Sequence, residues 1–353
     1  MAARSKRAER LSIALVVTLA IASAGLTYQL RESERGTASR AEEAAAHARL
    51  PEPSHQDADG YTYDRLSGPA RTVVRDAAGA VVATLTDGAR TAVLTGPSRT
   101  FAEPATTDAR VVTDAWVRLL PRPWAADQRD APWFPGWLAA RRADRDPDIL
   151  AMATQYLRGA PDLRDASGRR YAGQARFGPL NPRGAPGRDL RLEQSDFYQY
   201  LGRSWTFPDA PRTAPERARY GAVDCSGYIR LVYGYRAGYP LLGTDRRGVG
   251  LPRTADAMAR VGPGRALLSD GGDPRSELGT LQPGDLVFFD IDRRSGSRLD
   301  HMGLYLGLDT EGHPRFLSSR EENNGPTLGD VGGSARIDGG GFYARGLRAA
   351  KRL

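Results

Sequence analysis

The sequence predicts an α+β fold in which a short helix packs on an antiparallel sheet, preceded by a smaller region of strands and helices. Three observations support this prediction. Ile229 and Val232 follow Cys225 at helical spacing, which is typical of one face of a helix. Residues 300–309 (DHMGLYLGLD) alternate between apolar and small or polar residues, as in a strand. Residues 71–120 contain four β-branched runs separated by turn residues.

The first 30 residues have the form of an export segment. Residues 1–10 carry four basic groups and one acid, and residues 11–26 are uncharged and apolar. Ala22-Ser23-Ala24 is a small-x-small cleavage site, so residues 1–30 read as a signal peptide. Extension of the apolar run to residue 30 would instead make an uncleaved membrane anchor. Both readings place the rest of the chain outside the cytoplasm, and membrane contact is expected only through this segment.

Three further regions follow the export segment. Residues 31–69 are polar and predict a flexible linker. Residues 70–194 predict a β-rich and helical region of unknown role, with a hairpin at Asp87-Gly88 and a later helix capped by Asp146. Residues 195–353 contain Cys225 and the predicted sheet.

Composition narrows the classes of function. The net charge of +8 suits a polyanionic neighbourhood such as nucleic acid, acidic wall polymers or anionic lipid. The arginines are scattered among acids, with no basic run interleaved with aromatics, so we expect no nucleic-acid partner. Cys225 is the only cysteine, which excludes an internal disulfide framework in an exported chain.

The lone thiol is predicted to be a nucleophile. Asp224 is a good N-cap, so Cys225 heads the predicted helix and faces the positive end of its peptide dipoles. We expect the pKa of such a thiol to fall from about 8.5 into the range of about 3.5–7.5 when a cation is also near. The alternative interpretation is a small buried hydrophobic residue, as free cysteine often is.

A thiolate nucleophile needs a general base, and His301 is the candidate. It begins the strand predicted over residues 300–309, and Gly303 and Gly307 share its face, where we expect the helix to pack. His313 lies in the turn DTEGHP, where a histidine is usually solvated.

Four segments, in this order, resemble the NlpC/P60 family of papain-like cysteine peptidases. They are DCSGYIRLVYGY, LPRTADAM, LQPGDLVFF and DHMGLYLG, and the resemblance covers roughly residues 195–353. It implies a papain-like domain that cleaves peptide stems of bacterial peptidoglycan, most often between D-γ-glutamate and diaminopimelate. It also implies Cys225 as nucleophile and His301 as general base. Because Cys225 and His301 have no accompanying ligand set, we expect no metal or organic cofactor.

The family's third residue is a polar group, usually histidine, on the strand after that of the catalytic histidine. The segment PRFLSSR places Ser318 there, with Ser319 as near neighbour and His313 as the choice by position along the chain. A serine accepts the imidazole N–H but carries no charge, so it orients the ring more weakly than a carboxylate.

Substrate contacts follow from the same resemblance. In some relatives the residues flanking the cysteine hold a free stem-peptide amine, and Asp224 and Ser226 match them. Arg253 matches an arginine of a family motif, where a structural salt bridge is the expected role. The family's Tyr-x-Trp-Gly-Gly segment is replaced by SDFYQYLGRSWTFP, in which Tyr200 or Trp205 is expected to line the pocket.

The sequence leaves two other functions open. An amidase or acyltransferase would use the same pair on another bond. A non-catalytic cell-wall binding protein with a decayed site is kept open by the uncharged Ser318. Residues 70–194 either bind wall polymer or brace the following domain.

Overall fold

A computed structural model describes residues 60–186, 189–268 and 274–353, with the side chains of residues 274–276 and 293 left out. The predicted export segment and most of the predicted linker lie outside these ranges. All described residues belong to a single compact unit. Within those ranges, no helix combines the length and the apolar character needed to cross a membrane.

The N-terminal sheet is a five-stranded antiparallel meander with its strands in sequence order. The strands are Thr62–Leu66 (β1), Arg71–Arg75 (β2), Val81–Thr86 (β3), Thr91–Ala102 (β4) and Arg110–Leu119 (β5). Four were predicted, including the hairpin at Asp87-Gly88. The linker prediction for residues 31–69 is wrong over β1. Its polar sequence TYDRL pairs along its whole length with β2, and Tyr63 is buried against Phe134.

Two helices follow this sheet, Trp133–Ala143 (α1) and Ile149–Thr154 (α2). The N-cap of α2 is Asp148 and not Asp146, because the Asp148 carboxylate accepts the Ala151 N–H at 3.0 Å. The same carboxylate accepts both Arg99 Nη atoms and is fully buried. These long-range contacts, absent from the local sequence pattern, select the later cap.

The second sheet has six strands in the order β10-β15-β11-β12-β13-β14, with antiparallel neighbours. They are Arg265–Leu268 (β10), Leu286–Phe289 (β11), His301–Leu308 (β12), Pro314–Arg320 (β13), Gly325–Thr327 (β14) and Leu347–Arg352 (β15). The predicted strands around His301 and over PRFLSSR are confirmed. Two short hairpins complete the strands: Leu163–Arg164 (β6) with Arg170–Ala172 (β7), and Trp205–Phe207 (β8) with Ala210–Thr213 (β9).

Four short helices surround this sheet: Phe197–Leu201 (α3), Cys225–Ile229 (α4), Ala255–Arg260 (α5) and Phe342–Gly346 (α6). Beyond Ile229, α4 continues as a π-helical segment, Arg230–Arg236. Short 3₁₀ helices lie at Ala126–Asp130, Arg217–Arg219, Pro274–Thr280 and Arg293–Ser295.

The helix that begins at Cys225 packs on the sheet, but on the face opposite to the predicted one. Ile229 of α4 shares a core with Met302 and Leu304 of β12. The glycine face of β12 is covered instead by an aromatic cluster, since a Cβ on Gly303 would lie 2.5 Å from the Phe316 ring. Large apolar residues on β12 bury more area against α4 than glycines would, which accounts for the correction.

The N-terminal sheet and the Cys225 region share one core. Phe101 and Val117 of the first sheet lie in the same apolar cluster as Tyr228 of α4. The Tyr228 hydroxyl donates to the Ala153 carbonyl oxygen at 2.7 Å. The division at residue 195 remains a prediction, and the contacts across it brace the Cys225 helix.

Candidate active site

The chain holds Cys225 at the first position of α4. The Asp224 carboxylate accepts the Gly227 N–H at 2.7 Å, which confirms the predicted N-cap. A Cβ at Gly227 would lie 2.2 Å from the Ser195 carbonyl oxygen, so only glycine allows this approach. The Asp224 N–H donates to that same oxygen at 2.8 Å. The start of the helix is thereby anchored to the segment before α3.

Cys225 and His301 open onto one cleft of about 1110 Å³. Their exposures are 8% and 7%, so each presents only a small surface to it. The Cys225 Sγ lies 3.9 Å from the carbonyl oxygen of Asp300, within reach of a weak S–H···O contact. The thiol therefore sits beside the start of β12, where His301 begins.

Ser318 holds the imidazole of His301 through its Nε2 atom, at 3.1 Å from the serine Oγ. The ring also packs on Tyr343 and Phe289, with centroids at 5.3 and 5.9 Å. Because Nε2 is engaged with Ser318, Nδ1 is the nitrogen left to exchange a proton with a thiol. Ser318 is fully buried, which fixes the orientation of the ring.

The other two candidates for the third position lie elsewhere. Ser319 points to the opposite face of β13, where its hydroxyl donates to the Val223 carbonyl oxygen at 2.7 Å. The His313 Nδ1 lies 2.8 Å from a carboxylate oxygen of Asp338, and His313 is absent from the cleft lining. The alternation of β13 is what brings Ser318 to His301.

Sequence reasoning missed Arg320, a buried cation beside this pair. Its Nε donates to the Ser318 Oγ at 3.0 Å, and its Nη1 donates to the carbonyl oxygens of Gly333 and Gly329 at 2.6 and 3.0 Å. The guanidinium lies 4.4 Å from the Tyr343 ring centroid. Across the described ranges, no carboxylate lies within ion-pair distance of it.

The predicted low pKa of Cys225 is wrong. Burial raises the pKa of the thiol well above its ordinary value, and the negative charges of Asp224 and Glu193 raise it further. Burial also lowers the pKa of His301 to about 3, with the charge of Arg320 as a second cause. The favourable dipole of a five-residue helix does not offset these effects. At neutral pH the resting pair is a neutral thiol and a neutral imidazole.

Asp224 and Ser226 both line the cleft, but their polar atoms are already engaged. Arg253 donates to Asp224 Oδ2 and to Ser226 Oγ, each at 2.6 Å. This is the salt bridge expected for Arg253 from the sequence. Its charge and the N-cap bond keep the pKa of Asp224 low, although burial opposes them.

The structure does not bring Trp205 to the cleft. Its indole packs edge-on against Phe197 and Tyr235, with ring centroids at 4.9 and 6.1 Å. Tyr200 is equally remote, since its hydroxyl donates to the Gly173 carbonyl oxygen at 2.7 Å. The prediction that Trp205 binds substrate is wrong, because this aromatic segment completes a core.

The cleft is acidic although the whole chain is basic. Ten acidic residues and four arginines line it: Asp189, Glu193, Asp196, Glu216, Asp224, Asp256, Asp292, Asp300, Glu321 and Glu322, against Arg253, Arg294, Arg298 and Arg320. Glu193 is exposed and lines the cleft, and although its carbonyl oxygen accepts from Arg219, its carboxylate has no hydrogen-bond or ion-pair partner in the described part of the chain. Enclosure by the cleft walls and the neighbouring carboxylates, first Asp224, raise its pKa to about 7. Such a site favours a cationic group on a ligand.

Over the described ranges, no group of three or more His, Cys, Asp or Glu residues is placed to hold a metal ion.

Comparison with known proteins supports the resemblance read from the motifs. The model of the NlpC/P60 family matches residues 198–328, which include Cys225, His301 and Ser318. The family resemblance is thereby confirmed for this part of the chain. No curated protein matches the sequence.

Proposed function

We propose that this chain is an exported cysteine peptidase that hydrolyses amide bonds in peptidoglycan stem peptides. The observation that carries the proposal is geometric. Cys225 heads its helix in the same cleft as His301, and Ser318 engages Nε2 of the imidazole. The match to the NlpC/P60 family over residues 198–328 supports a papain-like cell-wall hydrolase. The bond between D-γ-glutamate and diaminopimelate is the expected target.

The chemistry follows from a neutral pair. As the Cys225 sulfur attacks an amide carbonyl carbon, the thiol proton passes to Nδ1 of His301, and the carbonyl π electrons move to oxygen. The backbone N–H of Cys225, at the helix start, is placed to donate to that oxyanion. His301 then returns its proton to the leaving nitrogen as the C–N bond breaks. Water, deprotonated by His301, hydrolyses the thioester and restores the thiol.

The acidic cleft supports a substrate that carries amino groups. Asp224 is already paired with Arg253, so the carboxylate best placed to receive an ammonium group is the unpartnered one of Glu193. A cation there also stabilises a thiolate at Cys225, since Glu193 is one of the charges that raise the thiol pKa. Asp224 and Ser226 then shape the same wall of the cleft.

Export and charge are consistent with a wall substrate. The predicted leader over residues 1–30 would deliver the enzyme outside the cytoplasm, either free or held in the membrane. The net charge of +8 then favours residence among anionic wall polymers, in a salt-sensitive way.

Defined muropeptides test this proposal. Mass spectrometry of the fragments from wild type, Cys225→Ala and His301→Ala reports the bond, the reaction and the nucleophile together. Hydrolysis at the D-γ-glutamyl–diaminopimelate bond by wild type alone supports the proposal. Cleavage at another amide indicates an amidase, and a product that joins two peptides indicates an acyltransferase.

A second candidate is a cell-wall binding protein without catalysis. The raised thiol pKa and the uncharged third residue are the observations that favour it. In that case wild type and Cys225→Ala would sediment equally with purified wall, and neither would release fragments.

A further inference from the structure

Tyr343 lies in the cleft although it stands outside the stretch that matches the family. It belongs to α6, beyond residue 328, and lines the cleft together with Cys225 and His301. Its exposure is only 3%. The ring is held by Phe289 and Phe316, with centroids at 5.4 and 5.0 Å, and it tilts against the His301 ring at 5.3 Å. Packing on all these sides leaves the ring little freedom.

The Tyr343 hydroxyl has no hydrogen-bond partner among the described residues, although a buried tyrosine hydroxyl usually finds one. By contrast, the buried hydroxyls of Tyr228, Tyr233 and Tyr200 all donate to main-chain carbonyl oxygens. The hydroxyls of Tyr239 and Tyr305, which are 4% and 5% exposed, also have no partner among the described residues, but only Tyr343 of these three lines the cleft that holds Cys225. A rigid, unused O–H donor beside a nucleophile has the character of a ligand-binding group.

The surroundings of Tyr343 keep its hydroxyl protonated, so that it can donate a hydrogen bond. Burial raises the pKa of the phenol, so the proton stays in place at neutral pH. The Arg320 guanidinium, 4.4 Å from the ring centroid, opposes that rise and so polarises the O–H bond. The sulfur of Cys225 is near enough to interact with the phenol electrostatically.

We propose that Tyr343 is a catalytic residue whose hydroxyl donates a hydrogen bond to the oxyanion formed when Cys225 attacks a carbonyl. No proton is transferred in this contact. The C–S bond forms, the carbonyl π electrons move to oxygen, and the Tyr343 O–H and the Cys225 N–H both point at the resulting charge. The proposal rests on the proposed function for its substrate, but its chemistry applies to any acyl group that reaches the sulfur.

Tyr343→Phe removes this donor and keeps the ring between His301 and Arg320. Tyr305→Phe is the matched control. Tyr305 lies on the same face of β12 as His301 and is 5% exposed, but it lines a different groove. Melting temperatures of both variants close to that of wild type show that the fold is kept.

Two probes of Cys225 separate the possible roles. Acylation by p-nitrophenyl acetate passes through an oxyanion, whereas alkylation by iodoacetamide does not. For Tyr343→Phe we expect acylation to slow about 10²-fold, as for loss of one oxyanion donor, with alkylation unchanged. For Tyr305→Phe neither rate should change. With muropeptides, Tyr343→Phe should lower kcat and leave KM unchanged.

Two results would overturn the role of Tyr343. One is wild-type acylation by Tyr343→Phe, and the other is an equal fall in acylation and alkylation, which would mean that Tyr343 acts through the Cys225–His301 pair. If the ester acylates wild type while muropeptides stay intact, the proposed function fails and the ester rates still judge Tyr343. If the ester leaves wild-type Cys225 unmodified while muropeptides are cleaved, an unchanged kcat of Tyr343→Phe with muropeptides overturns the role of Tyr343. If neither substrate reacts with wild type, both proposals fail.

Discussion

Each member of the candidate pair has an arginine beside it, buried for Arg320 and half-buried for Arg253, and the charges of the two arginines are compensated differently. On the cysteine side, Arg253 is paired with the Asp224 carboxylate at 2.6 Å. On the histidine side, Arg320 donates hydrogen bonds to main-chain carbonyl oxygens and packs on the Tyr343 ring, and it has no carboxylate partner in the described part of the chain. Because the Arg253 charge is paired, the acids of the cleft raise the pKa of the Cys225 thiol. The unpaired charge of Arg320 lowers the pKa of the His301 imidazole.

The consequence is a field that opposes a resting ion pair. Negative charge from Asp224 and Glu193 disfavours a thiolate, and positive charge from Arg320 disfavours an imidazolium. Burial, which is the largest cause of both pKa shifts, and these charges together keep Cys225 and His301 neutral until a substrate arrives. A cationic substrate group near Glu193 would offset its negative charge and so lower the pKa of the Cys225 thiol. Substrate binding would thereby activate the thiol.

Asp224→Asn should remove the ion pair beside Cys225 and have the largest effect. Asparagine keeps the N-cap but leaves Arg253 with only its longer ion pair to Asp196, at 3.8 Å, and removing one member of a buried pair costs about 3 kcal/mol of unfolding free energy. That figure is the low end of the range, because 20% of the Arg253 side chain is exposed. The thiol pKa should fall, so iodoacetamide should alkylate Cys225 faster at neutral pH.

Glu216→Gln is the matched control, since Glu216 lines the same cleft with its side chain 66% exposed. It should leave stability and alkylation nearly unchanged. Slower alkylation of Asp224→Asn than of wild type would contradict the assigned direction.

Arg320→Met should remove the positive charge that disfavours protonation of His301. Without the guanidinium charge, the imidazole pKa of His301 should rise from about 3, whereas Arg320→Lys keeps the charge and should hold it low. Nuclear magnetic resonance titration of the imidazole measures both. An unchanged His301 pKa in Arg320→Met would assign the whole shift to burial.

The sign of the stability change follows from the lowered pKa. An unfolded histidine binds a proton below about pH 6.5, while the folded His301 does so only near pH 3. Wild type should therefore lose stability as pH falls from about 6.5 towards 3, and Arg320→Met should lose less over that window. Denaturant unfolding at several pH values checks this slope.

Ser318→Ala should have a moderate effect on turnover. It removes the hydrogen bond at Nε2, and a neutral hydrogen bond contributes about 0.5–1.5 kcal/mol, so kcat should fall about twofold to tenfold. Ser319→Ala on the opposite face should lower stability by about 1 kcal/mol with little change in kcat. Equal kcat losses in both variants would argue against a specific role for Ser318.

Glu193→Gln should have the smallest effect, confined to substrate binding and its pH dependence. Because the Glu193 pKa is raised to about 7, its carboxylate forms as pH passes that value, and KM for an amino-bearing muropeptide should fall. The variant should lose this fall, with KM above pH 7 higher by about twofold to fivefold, as for an exposed ion pair. A KM that varies with pH identically in both proteins would exclude Glu193 from amine binding.

Local patterns predicted the parts of the site that local physics determines. The Asp224 cap and the helical spacing after Cys225 predicted the helix start, and strict alternation predicted that β12 begins at His301. The family resemblance placed Ser318 on the next strand with Ser319 and His313 left open, and the hydrogen bond to His301 selects Ser318. The helix start and the strand start depend on near neighbours in the chain, so the sequence contains them.

Features that depend on distant residues were not predictable. The pKa directions come from burial and from Glu193 and Arg320, which only folding brings to the pair. Tyr343 enters from the C-terminal region, beyond any motif. Trp205 was assigned to the pocket by chemical type, but its partners Phe197 and Tyr235 place it in a core.

Titration of the Cys225 thiolate by its ultraviolet absorbance, with Cys225→Ser as the blank, tests the neutral resting pair most directly. Burial of the thiol, together with the negative charges of Asp224 and Glu193, predicts no thiolate signal below the ordinary thiol pKa of about 8.5, with a single ionisation above it. A thiolate that forms in the range of about pH 3.5–7.5, as in an imidazolium-paired cysteine, would contradict it.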